Sequence, residues 1–464
     1  MYFEQFYLGC LAHASYLLAS DGEAVVVDPQ RDVELYLKAA AEHRATIRHI
    51  FETHLHADFV SGHRELAART GAKIYMGAQS GATFEHVLVS DGFELKFGKA
   101  SIGVLETPGH TPESICLVVT EAETSRAPWA VLTGDTLFIG DVGRPDLSPQ
   151  HTPAQLAGLL YDSLHTKLMK LPNSVLVYPA HGAGSLCGKN MRAERSSTIG
   201  TERLTNYALQ IKSREEFIRQ LTSNLPARPE YFAKDAEINR TGAAALSDLA
   251  PLRSLSPPEL EGMLKAGEIA LDVRSMDEFA AGHVPGSVNI ALGGQFASWA
   301  ATVLGLTAHP VLIAETDAQI EEARLRLARV GIEELDGYLA GGLAAWQQSG
   351  QPLAIVAQIS AQELEQGLVA GKVQVLDVRR EPEWDAGHVE GAAWWPLDNF
   401  RVSPPEIKHG VPLAVHCKGG YRSMIAASLL QRAGFHNVMN LTGGFDAWQQ
   451  ANLPIVTAVT VSAK

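Results

Sequence analysis

Cysteine is scarce in this 464-residue chain: there are four, Cys10, Cys116, Cys187 and Cys417, scattered far apart. That spacing excludes a disulfide-stapled scaffold and fits a reducing compartment, where each thiol stands alone, inert or reactive. Positive charge is also short. Lysine and arginine number 38 against 52 acidic residues, a net charge of −14, which excludes nucleic acid and an anionic membrane as main partners. An anionic substrate must therefore be caught by local arginines or a metal. No apolar run is long enough to span a bilayer. The opening MYFEQFYLGCLAHASYLLAS lacks a basic n-region and carries a glutamate where an apolar core would be needed. It reads as a strand rather than a signal peptide, and cytoplasm is the expected location.

What is present suits ordinary globular domains. A hydrophobic fraction of 46% with 19% charged residues lets each of the two to four domains expected from the length bury its own core. The first half alternates short β-rich runs with turns. SYLLAS and AVVVDP form a hairpin ending at Asp28-Pro29, and RHIFETH is a buried strand running into a loop. VSGHRELAARTG is a helix with Gly71 as its stop signal, and KIYMG is the next strand. Further strands are expected at SIGVLETPG, SICLVVT, AVLTGD and SVLVYPAHG. The stretch from Ser213 to Leu246 reads as a closing helix and an exposed linker. Beyond it the chain repeats itself. LDVRSMDEFAAGHVPGSVNIAL starts at Leu271 and LDVRREPEWDAGHVEGAAWWPL at Leu376, and matching tails start at Gly341 (GGLAAW) and Gly443 (GGFDAW). Two copies of one α/β unit of about a hundred residues follow.

Histidines and aspartates stand just past several strands, where a rigid sheet presents metal ligands. HLHADF holds His54, His56 and Asp58; His110 follows in TPGHTPES, Asp135 in LTGDTLF and His181 in YPAHG. One H-x-H is a weak signal, but four stations in this order are hard to obtain by chance. The set resembles the metallo-β-lactamase superfamily over roughly residues 1–250, which implies an αββα sandwich with metal between the sheet edges. Hydrolytic members similar to glyoxalase II carry a histidine after the aspartate and bind two metals. Here that position is Phe59, which has no lone pair, so the second metal loses a ligand and one ion per chain is expected. The resemblance to persulfide dioxygenases implies ligation by His54, His110 and Asp135, two histidines and a carboxylate that leave positions open on Fe(II). His56, Asp58 and His181 would then orient the ligands or bond bound water or oxygen. The rival assignment makes them direct ligands of a dinuclear site.

Arg144, in GDVGRPDL, either holds the anionic thiol carrier or packs the site loop against a nearby carboxylate. The loop GAGSLCGKNMRAERSS after His181 adds Lys189, Arg192 and Arg195 as positive charge, with Lys189 and Arg192 as candidate substrate contacts. Cys187 in this loop either relays sulfur or is structural. Cys10 and Cys116 lie in apolar β-runs and read as buried hydrophobes.

PLAVHCKGGYRSMIAASLLQRAGF reads as a strand, a glycine-containing loop and an amphipathic helix, with Cys417 at the end of the strand. Loop amides and the helix N-terminus can surround an anionic sulfur, and Arg422 and Lys418 add charge. The C-x-x-G-x-R-S pattern, with the LDVR, GHV-x-G and GGFDAW elements, closely resembles rhodanese domains over residues 357–458. The resemblance implies Cys417 and Arg422 as catalytic and Lys418, Gly419, Gly420, Tyr421 and Ser423 as the sulfur-binding loop. In the first copy Ala314 or Glu315 occupies the cysteine position, so that copy has no thiol and reads as a scaffold, a spacer or a wall of the iron pocket. Asp272, Arg274 and His283 recur as Asp377, Arg379 and His388 and, being present in the inactive copy too, read as structural.

The expected layout is an α/β and α+β multidomain chain: an αββα domain at 1–250, an inactive rhodanese-like domain at 251–352 and an active one at 357–460, both with central parallel sheets. The whole resembles fused persulfide dioxygenase–sulfurtransferases. That implies oxidation of a low-molecular-weight persulfide, glutathione persulfide first, by O2 to sulfite and thiol, with thiosulfate and sulfane-sulfur exchange at Cys417. A homo-oligomer, dimer or tetramer, is expected. The alternatives are a zinc-dependent thiolester hydrolase of the glyoxalase II kind with an attached rhodanese, and a non-catalytic sulfur carrier or sensor.

Overall fold

The computed structural model describes residues 1–121, 127–223, 225, 227–401, 407–408 and 410–457. The expected domain end at 460, and Asn224 and Pro226 of the expected linker, lie outside the described residues. Two compact units divide the chain: Met1–Leu249 with Ala328–Gly331, and Ala250–Leu327 with Ile332–Lys464. No helix among the described residues is long and apolar enough to cross a membrane.

The first unit holds two six-stranded sheets. One comprises β1 (Tyr2–Leu8), β2 (His13–Ser20), β3 (Glu23–Val27), β4 (Thr46–Phe51), β5 (Lys73–Gly77) and β6 (Val87–Val89) side by side in chain order. The other comprises β7 (Glu94–Phe97), β8 (Ala100–Glu106), β9 (Ile115–Glu121), β10 (Ala130–Gly134), β11 (Leu176–Pro179) and β12 (Ser197–Thr198). The run AVVV in β3 is apolar throughout because both faces of its sheet are covered. Val25 and Val27 pack between the sheets with Phe51, Ile102, Val104 and Leu117. Ala24 and Val26, one residue out of phase, meet Tyr36 and Leu66 on the outer side. The opposite outer face receives Ala157, Leu160 and Leu164 of the helix Pro153–Thr166. These four layers are the expected αββα sandwich. That helix opens at Thr152-Pro153, where the Thr152 hydroxyl and the Gln155 amide side chain cap each other's backbone. Gly71 ends the helix His63–Thr70 at φ +72°, the left-handed stop expected of it.

The Ser213–Leu246 stretch differs from the sequence expectation. It forms two helices, Arg214–Thr222 and Tyr231–Thr241, and the second buries Tyr231, Phe232, Asp235 and Asn239. Its apolar residues are too widely spaced to read as a core helix from pattern alone. Cys10 also departs: it sits half-buried in the turn between β1 and β2 rather than inside a strand. Cys116 is buried in β9 as expected.

The second unit contains the two repeated modules, each with a five-stranded parallel sheet. The first uses β13 (Ser254–Leu255), β14 (Ala270–Asp272), β15 (Val288–Asn289), β16 (Val311–Ile313) and β17 (Gly337–Leu339), ordered 13-17-16-14-15. The second uses β18 (Ala357–Ile359), β19 (Gln374–Asp377), β21 (Ala393–Trp394), β22 (Leu413–His416) and β23 (Val438–Leu441), ordered 18-23-22-19-21. A short pair, β20 (His388–Val389) with β24 (Ile455–Val456), lies outside that sheet. Register settles the open alignment. Asp272 pairs with Ile313 as Asp377 pairs with His416, so Ala314 stands at the cysteine position.

The paired glycines of each tail have a packing cause. A Cβ on Gly444 would lie 2.4 Å from the Lys418 carbonyl oxygen and 2.6 Å from that of Cys417, and one on Gly342 would lie 2.4 Å from that of Ala314. Both positions also adopt positive φ, +58° and +56°. Gly444→Ala is expected to destabilise the protein by about 1–3 kcal/mol and to displace the loop that begins at Cys417. Urea unfolding reads the first effect, and the rate of Cys417 alkylation reads the second.

Candidate metal centre and sulfur-transfer loop

Two histidines and one aspartate converge where β4, β8 and β10 end. His54, His110 and Asp135 bring one ligand atom each to within 4.8 Å of one another, all buried. His54 Nε2 lies 3.8 Å and His110 Nε2 3.4 Å from Asp135 Oδ2. The far side of each ring decides its tautomer. His110 Nδ1 faces the Arg144 carbonyl at 2.9 Å and so carries the proton. The Thr53 hydroxyl donates to Asp28 at 2.8 Å and thus accepts from His54 Nδ1 at 3.1 Å. Both Nε2 lone pairs therefore face inward. Burial lowers the pKa of both rings, keeping them neutral. Burial pushes the Asp135 carboxyl up, but His181, His54 and His110 outweigh it and hold the group well below the usual carboxylate range.

Among the described residues His110 Nε2 and Asp135 Oδ2 have no hydrogen-bond partner although both are buried. Three converging donors, two of them left unpaired in a buried place, fit a cation and fit poorly with a purely structural cluster. A two-nitrogen, one-carboxylate set is suited to a divalent metal such as iron or zinc and leaves its other positions open.

The other predicted residues surround this set. His181 Nδ1 lies 2.8 Å from Asp135 Oδ1, and its Nε2 lies 2.9 Å from Asp58 Oδ2. His56 turns away, its Nε2 3.1 Å from Asp28 and 3.4 Å from Glu52. Phe59 packs on His13 and His56, with ring centroids 4.0 and 4.4 Å apart, and supplies no donor. Arg144 is buried, its guanidinium forked onto Asp146 at 2.7 and 2.9 Å. This is the structural of its two readings, and its carbonyl also orients His110. Lys189 Nζ donates to the Ser223 carbonyl, and Arg192 pairs with Glu202 at 2.8 Å. Cys187 is buried, and that burial raises its thiol well above the usual range.

Sequence reasoning missed three groups. His13 is fully buried against the centre, and among the described residues neither ring nitrogen is hydrogen-bonded. Asp28 and Glu52 anchor the histidine loop. Asn239 clamps that loop, donating to the carbonyls of His56 (2.8 Å) and Phe59 (2.7 Å) and accepting from the Ser61 amide (2.8 Å). No motif marks Asn239, since its partners are 178 or more positions away. Asn239→Leu strands these buried backbone groups and is expected to cost about 2–4 kcal/mol, together with weaker metal retention, read by thermal unfolding and metal analysis.

In the last module the buried Cys417 Sγ accepts from the Gly420 amide at 3.1 Å and from the Ser423 hydroxyl at 3.5 Å. That hydroxyl shares its single proton with Asn440 Oδ1 at 2.7 Å and the Gly420 carbonyl at 2.9 Å, and the helix Tyr421–Arg432 starts immediately after Gly420. Negative charge on the sulfur thus has an amide, a hydroxyl and a helix N-terminus around it. The Arg422 guanidinium is forked onto Glu383 at 2.6 and 2.7 Å, while Lys418 and Gly419 are exposed. Tyr421 Oη donates to the Ala291 carbonyl at 2.8 Å, and Ser428 Oγ accepts from the Asn289 amide. The thiol-free module therefore braces the helix behind the Cys417 loop. Asp377–Arg379 and Asp272–Arg274 form the same buried fork, each arginine also capping a carbonyl, Gly387 or Gly282.

The Metallo-beta-lactamase superfamily profile matches residues 8–181, and the Rhodanese-like domain profile matches 256–349 and 360–451. The chain is 32% identical over 212 residues to the persulfide dioxygenase ETHE1, mitochondrial, of Bos taurus, covering 44% of this chain and 73% of that protein. The chain belongs to the fused ETHE1–rhodanese family. Within the fused ETHE1–rhodanese architecture, the metallo-β-lactamase part is also similar to a hydroxyacylglutathione hydrolase of Francisella tularensis subsp. novicida. That match is 31% identical over 172 residues and spans 37% of this chain and 63% of the hydrolase. A solved metallo-beta-lactamase from Staphylococcus aureus subsp. aureus COL is 31% identical with a TM-score of 0.66, covering 73% of this chain and 98% of that one.

Proposed function

We propose that this chain is a persulfide dioxygenase joined to a rhodanese sulfurtransferase, with His54, His110 and Asp135 holding one catalytic Fe(II). The observation that carries the reading is the buried, converging two-histidine, one-carboxylate set beside Phe59, where a further donor would be needed for a hydrolytic metal pair. The substrate is a low-molecular-weight persulfide, glutathione persulfide first. Persulfide, dioxygen and water combine to give the thiol and sulfurous acid, so the outer sulfur is oxidised and dioxygen is reduced. Ferrous iron, when bound, supplies the open positions at which that sulfur and dioxygen meet.

The chain's own residues prepare that site. Thr53 and the Arg144 carbonyl keep the Nδ1 protons of His54 and His110 outward, and His181 fixes the Asp135 carboxylate. Phe59 and His13 close one side against water. At Cys417 the thiolate attacks the outer sulfur of a donor, the donor thiolate leaves, and the Gly420 amide and Ser423 hydroxyl hold the resulting persulfide. Sulfite attacking that outer sulfur gives thiosulfate and returns the Cys417 thiolate. Tethering keeps the shared sulfur species locally concentrated. The thiol-free module serves as a scaffold for this loop.

The similarity to the Francisella hydrolase favours a second reading, zinc-dependent thiolester hydrolysis. Anaerobically purified, Fe(II)-loaded protein given glutathione persulfide separates the two. Rapid oxygen uptake with sulfite formation supports the dioxygenase. Absent uptake, with turnover of a glutathione thiolester by the zinc form, replaces it.

A further inference from the structure

Three arginines stand in or beside the Cys417 loop, and each is matched to a carboxylate. Arg379 forks onto Asp377, and Arg380 onto Asp398 at 3.0 and 3.2 Å. Arg422, inside the loop, gives both terminal nitrogens to Glu383 at 2.6 and 2.7 Å. The charges cancel in pairs. Lys418 lies on the exposed side of the loop, where water and salt screen it.

The Arg422–Glu383 pair is the one that bears on the reaction. Its side chains are 16% and 32% exposed, between interior and surface. Burial pulls the Arg422 guanidinium down, yet Glu383 outweighs it, and the Cys417 sulfur and Asp398 act in the same direction. Arg422 is therefore close enough to the sulfur for its charge to matter there. Burial pushes the Glu383 carboxyl up, but Arg422 holds it below the usual carboxylate range, so the pair stays ionised. The start of the helix Glu381–Asp385 places Glu383, whose carboxylate also accepts from the Arg380 amide at 3.2 Å. In the thiol-free module the corresponding Glu278 caps Ser275 at 2.6 and 2.9 Å. Residues 314–318 there read AETDA, with no arginine for it to meet. The reach to Arg422 belongs to the module that carries the thiol.

We propose that Glu383 is a specificity-determining residue of this loop. By holding the Arg422 charge it turns away doubly negative sulfane donors, thiosulfate above all. It selects donors with no more than one negative charge at the reacting end, persulfides among them. The assignment rests on the transferase reading of Cys417. With either donor the Cys417 thiolate attacks the outer sulfur, the donor's own sulfur–sulfur bond breaks, and its electron pair leaves with the departing group. What differs is the charge brought into the loop. A free arginine offers a planar fork to the oxygens of a sulfonate-like end, and on Arg422 that fork is already occupied by Glu383. A dianion entering beside the pair meets the Glu383 carboxylate as a like charge, and such an approach costs more the less water surrounds it. A persulfide presents a bare sulfur without oxygens, so it has little use for the fork.

The test compares two sulfane donors of different charge on the full-length protein: thiosulfate, a dianion, and benzenethiosulfonate, a monoanion. Loading of Cys417 is read as a mass gain of one sulfur atom, and kcat/KM for each donor is measured with cyanide as acceptor. Glu383→Gln keeps the shape and an oxygen for the Arg380 amide but removes the charge. It is expected to shift the ratio of the two kcat/KM values at least tenfold toward thiosulfate, through a lower KM. One unit charge acting on a dianion from about 6 Å is worth that factor even in water. The thiosulfate rate should also fall more steeply with salt than in the wild type. Glu383→Asp restores a carboxylate and should bring the ratio back. Glu383→Ala serves if the glutamine variant does not fold, and it must show the same shift. A merely structural glutamate would lower the rates with both donors together; that parallel loss, or an unchanged ratio in a folded variant, overturns the proposal. A wild type that gains sulfur at Cys417 from neither donor, nor from glutathione persulfide, overturns the transferase reading and this assignment with it.

Discussion

His110→Ala is expected to reduce persulfide-dependent oxygen uptake to background, a larger loss than the roughly 10–100-fold that removal of an outer hydrogen bond at a metal typically costs. His110 is one of three buried donors, and among the described residues its Nε2 makes no hydrogen bond, which leaves it to the ion the site would hold. Two remaining donors cannot close the face that the reaction needs. The ring's other nitrogen bonds the Arg144 carbonyl, so alanine frees that buried carbonyl and leaves the sheets in place. Metal analysis should show iron falling with activity, and the melting temperature should change little. Asp135→Asn is the sharper companion: it keeps the shape but removes the negative charge that faces His54, His110 and His181. Iron and oxygen uptake retained in both variants would move the reaction to another set of residues.

Cys417→Ser is expected to lower thiosulfate–cyanide sulfur transfer by at least about 10³-fold, because the hydroxyl cannot take up a sulfane sulfur and the remaining loop contributes only positioning. Oxygen uptake with glutathione persulfide supplied directly should persist, since Cys417 and the two-histidine, one-carboxylate set belong to different compact units. Ser423→Ala should fall between these extremes. It removes one donor to Sγ and its bond to Asn440 but leaves the Gly420 amide in place. A serine variant that still transfers sulfur, or one that abolishes oxygen uptake as well, would undo the division of labour.

Much of this chain is legible from residue order because its chemistry is written in short local patterns. The stations His54, His110 and Asp135 each follow a strand, and a strand end fixes where the next side chain can go. The 271/376 repeat identifies two modules, and loss of the thiol in one copy is visible in a single alignment. The helix around Asn239 and the engagement of Arg144 with Asp146 are less accessible. Asn239 reaches its partners across the whole domain, and an arginine beside glycine and proline looks the same whether it binds substrate or a neighbouring carboxylate.

By itself, the sequence determined the fold class and the order of domains, and it marked the candidate sulfur-carrying cysteine and the four candidate metal-site stations, because period, spacing and residue chemistry survive in one dimension. Only the tertiary structure decided the rest. It decided which ring nitrogens face inward, through acceptors on the Arg144 carbonyl and the Thr53 hydroxyl. It placed Ala314 at the vacant cysteine position, through strand register. It forked Arg422 onto Glu383, through two helix starts 39 positions apart. Each of these depends on contacts between residues distant in sequence, which no local pattern encodes.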